Sequence, residues 1–179
     1  MGMEIEKKFT VCRLPDNLER YEFHLIEQGY LNVHPAIRVR QEDDHYYMTY
    51  KGMDGVIAKE EYNMELDKAS YDHMLKKADG NIITKKRYII PINEDAFSKE
   101  YLESHGSDAK AFVDGEIKIE LDVFEGFFEG LVIAEVEFPS VEAANNYKPA
   151  PWFEKDVSGQ KRYSNAQLST LEKFIVEKA

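Results

Sequence analysis

Polar and charged side chains fall at every second position in seven separate stretches of this 179-residue chain, with apolar residues set between them. Glu4, Glu6 and Lys8 oppose Ile5 and Phe9, and Arg38 and Arg40 oppose Ile37 and Val39. Tyr47, Thr49 and Lys51 oppose Tyr46, Met48 and Tyr50, while Lys59, Glu61, Asn63 and Glu65 oppose Tyr62, Met64 and Leu66. Lys85 and Arg87 lead into Tyr88-Ile89-Ile90, Lys118, Glu120 and Asp122 oppose Ile117, Ile119 and Leu121, and Glu135 and Glu137 oppose Ala134, Val136 and Phe138. Successive side chains of a strand point to opposite faces, so each stretch predicts a strand with one charged and one apolar side. Lys51-Gly52-Met53-Asp54-Gly55 and Glu125-Gly126-Phe127-Phe128-Glu129-Gly130 predict hairpin turns, and with them antiparallel neighbours.

Such faces can point to water, with the apolar side on a core. The segregation of charge argues for the other arrangement. Acids gather on the Glu4 and Glu135 strands and bases on the Arg38 and Lys85 strands, although like charges two apart on one strand repel. A sheet curled with the charged faces inward relieves this, because clustered carboxylates can hold cations and clustered bases an anion. Carboxylates without Cys or His partners suit a hard oxygen-seeking ion, Mg²⁺ or Mn²⁺. Clustered Arg and Lys suit phosphate.

Helices are predicted near Asp16 to Tyr21, over Lys68 to Ala78 with Gly80 as the stop, over Ser140 to Tyr147, and from Asn165 onward, where they would cover apolar outer faces. The polar stretch from Asn93 to Gly115 reads as an excursion between strands, helical around Glu94 to Glu103. No internal repeat or linker divides the chain, so residues 1–179 are expected to form one α+β domain. A net charge of -11 disfavours nucleic acid and anionic membranes as partners. No apolar run has the length of a membrane span, and the first residues are acidic where a signal peptide is basic, so a cytoplasmic location is expected. Cys12 is the sole cysteine, which excludes an internal disulfide and multi-cysteine zinc. The five histidines lack ligand spacing, and no Gly-x-x-x-x-Gly-Lys-Ser/Thr loop occurs.

Glu-x-Glu-x-Lys, standing as Glu4, Glu6 and Lys8, resembles the signature of the CYTH superfamily, the triphosphate tunnel metalloenzymes. Gln28-Gly29-Tyr30-Leu31, Arg38-x-Arg40, Thr49-Tyr50-Lys51-Gly52, Lys85-Lys86-Arg87-Tyr88, Glu120 to Gly126, Gly130 to Glu137 and Arg162-Tyr163-Ser164-Asn165 resemble its short bacterial members in the same order. The resemblance implies an eight-stranded antiparallel β-barrel, a tunnel with a charged interior and flanking helices. It implies metal ligation by Glu4, Glu6, Asp122, Glu135 and Glu137, with Glu61 and Glu65 behind them. It implies a phosphate grip of Lys8, Arg38, Arg40, Lys51, Lys85, Arg87 and Arg162, and a catalytic pair of Lys8 and Tyr30 acting on the attacking water. Lys59, Lys118 and Glu120 share the charged faces and form a second tier. Lys8 among other cations is expected to give up its proton readily.

The implied activity is divalent-metal-dependent hydrolysis of a triphosphate, inorganic tripolyphosphate first. Adenylate cyclisation, thiamine or nucleoside triphosphate hydrolysis, and a non-catalytic polyphosphate-binding module stay open. The expected partner is a small-molecule triphosphate, with a homodimer as the possible assembly. Asn63 stands where an acid is common in the family, and Asp156 where Glu is common.

Overall fold

The structure, a computed structural model, describes residues 2–3, 5–52 and 60–175, so Glu4, Lys59 and part of the turn expected after Lys51 lie outside the described residues. Among the described residues, ten strands form one antiparallel sheet: β1 (Gly2–Met3), β2 (Glu6–Val11), β3 (Phe23–Asn32), β4 (Ala36–Glu42), β5 (His45–Lys51), β6 (Glu60–Leu66), β7 (Asp79–Pro91), β8 (Lys118–Glu125), β9 (Val132–Glu137) and β10 (Phe153–Asp156). Five helices accompany them there: α1 (Lys68–Leu75), α2 (Lys99–Ser104), α3 (Gly106–Val113), α4 (Val141–Asn146) and α5 (Asn165–Ser169). Side-chain caps start four of them, with Asp67, Ser98, Ser140 and Ser164 accepting from Ser70, Tyr101, Ala143 and Gln167 amides. Each such cap satisfies an amide that the first helical turn leaves open.

The spatial order is β1-β6-β5-β4-β3-β7-β8-β9-β2-β10. The first and penultimate strands of that row are consecutive in sequence, so one N-terminal segment pairs with β6 through Gly2 and Met3 and with β9 through Glu6 to Thr10. The expected eight strands are present if β1 and β2 count as one, with β10 added beyond β2. The ladder is not closed by an unbroken run of pairs: its two ends meet only through this shared segment.

The apolar outer faces of β7, β8, β9 and β2 pack with α2, α3 and α4 into the larger core, where Phe9, Leu121, Ala134 and Val136 meet Ala96, Ala111 and Ala143. Burying a side chain the size of Phe9, which is 1% exposed, contributes about 2–3 kcal/mol. A smaller cluster of Tyr30, Ile83, Phe124, Phe128, Ile133 and Leu168 gathers inward-facing strand residues against α5. Helix α1 rests on β3 at Gly29, where a Cβ would stand 2.7 Å from that of Ala78.

Several expectations change. The helix predicted at Asp16 to Tyr21 is a single 3₁₀ turn, Leu18–Arg20, and the helix from Asn165 ends at Ser169. The excursion holds two helices instead of one, tied down by buried Asp108, which accepts from Tyr101 Oη (2.5 Å) and Ser140 Oγ (2.8 Å). Gly80 does not stop α1: it lies inside β7 with φ +72°, and a Cβ there would meet the Ser169 carbonyl oxygen at 2.1 Å. Its backbone freedom serves the docking of the C-terminal segment, which Asn81 Nδ2 also holds through the Ser169 and Leu171 carbonyls.

Candidate functional site

The inward faces enclose a cavity of about 1390 Å³. Period-two geometry carries the charged positions into it: Glu6 and Lys8 on β2, Arg38 and Arg40 on β4, Lys51 on β5, Glu61 and Glu65 on β6, Arg87 on β7, Glu120 on β8, and Glu135 and Glu137 on β9 all line it, as does Tyr30 of β3. The alternation says which face a residue occupies; depth along the strand decides what it does there.

At the apolar end, Lys85 and Asp122 are an ion pair at 0% and 1% side-chain exposure and do not line the cavity. Asp122 also accepts from Arg87 through Nε (2.7 Å) and Nη2 (2.8 Å), so its oxygens are committed to the protein. Exposure then rises through Glu135 at 13% and Glu120 at 34% to Glu6 at 39%. The carboxylate that β8 presents to the cavity is therefore Glu120, which the sequence placed in the second tier, and Asp122 is the buried counter-ion beneath it. Lys118, one step further out on the same face, is exposed at the strand end and outside the cavity lining.

Charge is balanced unevenly. Glu135 bonds Lys8 Nζ at 2.7 Å and Arg87 Nη2 at 2.8 Å, and Arg87 also pairs with Glu120. Burial raises the Glu135 carboxyl, but Lys8, Arg87 and Lys85 outweigh it and hold that carboxyl well below the usual range. Burial likewise works to discharge Lys8, yet Glu135 and Glu6 prevail and push its ammonium up. The expectation that Lys8 sheds its proton easily is thus reversed, since its nearest neighbours are carboxylates. Lys85 is the lysine pulled down, to about 8, by burial and by the Arg87 charge. Glu120 is raised by burial and by Glu135 and Asp122, with Arg87 opposing.

Across the cavity the bases are less neutralised. Arg40 donates Nε to Gln28 Oε1 (2.9 Å) and Nη1 to Tyr47 Oη (3.2 Å), with Glu42 3.7 Å away. Burial and the neighbouring Arg38 charge lower its pKa. Arg38 sits between Tyr30 on β3 and Thr49 on β5, and its Nε is buried with no hydrogen-bond partner among the described residues. Lys51 pairs with Glu61 at 2.8 Å.

Arg162 does not line the cavity. It is exposed and stacks over the Tyr163 ring at 4.7 Å, while its neighbour Lys161 faces the cavity instead. Residues 157–161 are led there from β10 by Val157 N donating to the Lys8 carbonyl (2.8 Å) and Lys8 N donating to Ser158 Oγ (3.0 Å). Tyr47 and Lys161 line the cavity and Gln28 lies buried beside Arg40 and Tyr30; sequence reasoning gave none of the three a role in the site. Gln28 had a signal, its place beside Tyr30 in Gln28-Gly29-Tyr30-Leu31.

The antiparallel sheet curls about a cavity lined by clustered bases and carboxylates, a tunnel-like enclosure of charge, and the match of residues 2–167 to the CYTH domain places the chain in that family. It is 32% identical over 171 residues to an inorganic triphosphatase of Nitrosomonas europaea, spanning 93% of this chain and 96% of that one. An inorganic triphosphatase of Acetivibrio thermocellus is 31% identical, with 94% of each chain covered. A crystal structure of an inorganic triphosphatase superposes with a TM-score of 0.66 at 30% identity, over 97% of this chain and 99% of that one. No helix among the described residues is long and apolar enough to cross a membrane.

The family implies a divalent metal cofactor. On β2, β8 and β9, Glu6 lies directly across from Glu137 and Glu120 across from Glu135. Opposed like charges of this kind, offering only oxygen donors, fit a hard cation. Among the described residues no three His, Cys, Asp or Glu side chains stand gathered as a ready-made cluster.

Proposed function

We propose that the protein hydrolyses inorganic tripolyphosphate to orthophosphate and pyrophosphate with Mg²⁺ or Mn²⁺, in the cytoplasm. The observation that carries this reading is the gathering of Arg38, Arg40, Lys51 and Lys161 on the lining of one cavity, cations of the kind that suit a chain of phosphates. The names of the relatives that cover nearly the whole chain point the same way.

Arg38, Arg40, Lys51 and Lys161 would grip the chain of phosphates, and Lys8 and Arg87 would reach it from the opposite wall. Glu6, Glu120, Glu135 and Glu137, with Glu4 outside the described residues, would hold the metal. When bound, the metal supplies neutralisation of phosphate charge and a polarised water. Water attacks the terminal phosphorus and gives its proton to a non-bridging phosphate oxygen, the bridging P–O bond breaks, and charge gathers on the departing pyrophosphate. Fixed guanidinium groups meet that charge without reorganising, which is where catalysis of phosphoryl transfer chiefly lies. Lys8, held charged, serves as a cation here and not as the base.

A second reading has support in the cavity's size. About 1390 Å³ exceeds the common range for small-molecule sites, and Tyr46 and Leu66 among its lining leave apolar room for an organic group. Incubating the protein and either metal with tripolyphosphate, ATP and thiamine triphosphate, then identifying products, separates the two. Orthophosphate from tripolyphosphate is expected; cyclic AMP with pyrophosphate from ATP would replace the proposal.

A further inference from the structure

Gln28 is fully buried, at 0% exposure, on the inward face of β3 between Arg40 and Tyr30. Its amide can be oriented in one way only. Arg40 Nε, 2.9 Å away, is a donor and nothing else, so it must meet Oε1. The amide nitrogen is thereby turned to Tyr30 Oη at 3.4 Å, and there it can only donate. Tyr30 Oη is left as the acceptor of that bond, with its own proton facing elsewhere. Among the described residues the Tyr30 hydroxyl donates to no acceptor, although its ring is packed against Ile83, Phe124 and Leu168 and the residue lines the cavity. A buried hydroxyl normally places its proton on a partner.

We infer that Gln28 is a positioning residue that holds Tyr30 as a hydrogen-bond donor to the bound phosphate chain, while fixing the plane of Arg40. This rests on the triphosphate reading of the cavity. It makes Tyr30 a donor to substrate and not an acceptor of the water's proton. The irregular pairing of β3 with β7 between Gln28 and Tyr30 belongs to the same arrangement, because a bulge re-aims the side chain beside it.

A double-mutant cycle of Gln28→Glu and Tyr30→Phe tests it, read in kcat with Mn²⁺ and tripolyphosphate and in Kd for tripolyphosphate by calorimetry. A carboxylate at 28 still accepts from Arg40 Nε but draws the Tyr30 proton away from the cavity. Tyr30→Phe is expected to lower kcat about 10²-fold, the lower end of the range for one lost donor to developing charge. Gln28→Glu should lose at least as much in the native background and much less on top of Tyr30→Phe. Equal losses in both backgrounds would overturn the inference, because a merely structural glutamine is indifferent to the Tyr30 hydroxyl. If Gln28→Glu does not fold, Gln28→Met carries the same cycle, its loss of Arg40 pinning being common to both backgrounds. Turnover with independent effects refutes only the Gln28 assignment. Tight binding without turnover refutes the hydrolysis and leaves the cycle in Kd decisive, and absence of both overturns the site and this inference together.

Discussion

The two walls of the cavity carry opposite debts. On β3 to β6, Arg38 keeps an open donor and Arg40 is fastened mostly by neutral groups, Gln28 and Tyr47. On β7, β8, β9 and β2, every cation named is answered by a carboxylate: Lys85 by Asp122, Arg87 by Asp122, Glu135 and Glu120, Lys8 by Glu135. The first wall is less neutralised than the second, although Lys51 there is paired with Glu61 at 2.8 Å. The second is internally neutralised, and its outer carboxylates can serve a metal only as their partners turn toward the incoming phosphates. Substrate and metal would then exchange partners with the wall together, each releasing the group the other needs.

The contrast can be broken most sharply at Arg38. Arg38→Ala should lower kcat/KM for tripolyphosphate about 10²–10³-fold, the cost of one preorganised donor, with no fall in melting temperature. A drop in Tm with unchanged kinetics would mean that the open donor is structural. On the other wall, Asp122→Asn takes the shared buried counter-ion from Lys85 and Arg87 in a dry site, and should cost about 3–5 kcal/mol in urea unfolding. Adding Lys85→Met should recover part of that loss. If Asp122→Asn removed metal dependence while sparing stability, Asp122 would belong with the ligands after all.

A smaller effect sharpens the mouth of the cavity: Lys161→Ala should raise KM several-fold, roughly 1 kcal/mol for an exposed cation on phosphate, and Arg162→Ala should leave it unchanged. Initial-rate kinetics on both variants decide the assignment. The smallest effect lies outside both walls, at His24 Nδ1 and Asp43 Oδ2, 2.7 Å apart on partly exposed side chains. The hydrogen bond to Asp43 raises His24, so its contribution is complete below the imidazole's unfolded pKa of about 6.5 and fades as pH climbs through the raised value. Asp43 is depressed by the same bond, so its share is present above about 3.8 and lost as pH falls through the lowered value. His24→Gln should therefore cost about 0.5 kcal/mol at pH 5.5 and nothing at pH 9, measured by urea unfolding at each pH.

How far the sequence carried this picture depends on what alternates. Seven strands announced themselves because charge and apolarity trade places every second residue, whereas β3 did not, since its inward face is Ile26, Gln28 and Tyr30 and carries no charge contrast. Periodicity assigned Asp122 and Glu120 to one face correctly. It could not rank them, because depth depends on which cross-strand neighbour is apolar: Ile133 faces Asp122, and Glu135 faces Glu120. Arg162 and Lys161 exchanged roles for a related reason, as a 3₁₀ turn at Lys161–Tyr163 replaces the strand parity by which the two would be sorted. The proton direction at Tyr30 was beyond reach, being set by the chemistry of Arg40 through a buried amide.

The N-terminal segment that joins both ends of the sheet has a consequence for how the molecule comes into being. Its residues leave the ribosome before the strands it joins, yet Met3 pairs with Glu60 and Glu6 with Glu137, a partner synthesised more than a hundred residues later. Until β9 has emerged, β2 lacks its neighbour, and the charged interior faces the open solution. Pairings this distant in sequence must be closed against chain entropy before they repay it. The enclosure of the tunnel is therefore a late event of folding, and a nascent chain halted before β9 would display the basic wall of Arg38 and Arg40 to any polyanion in its surroundings.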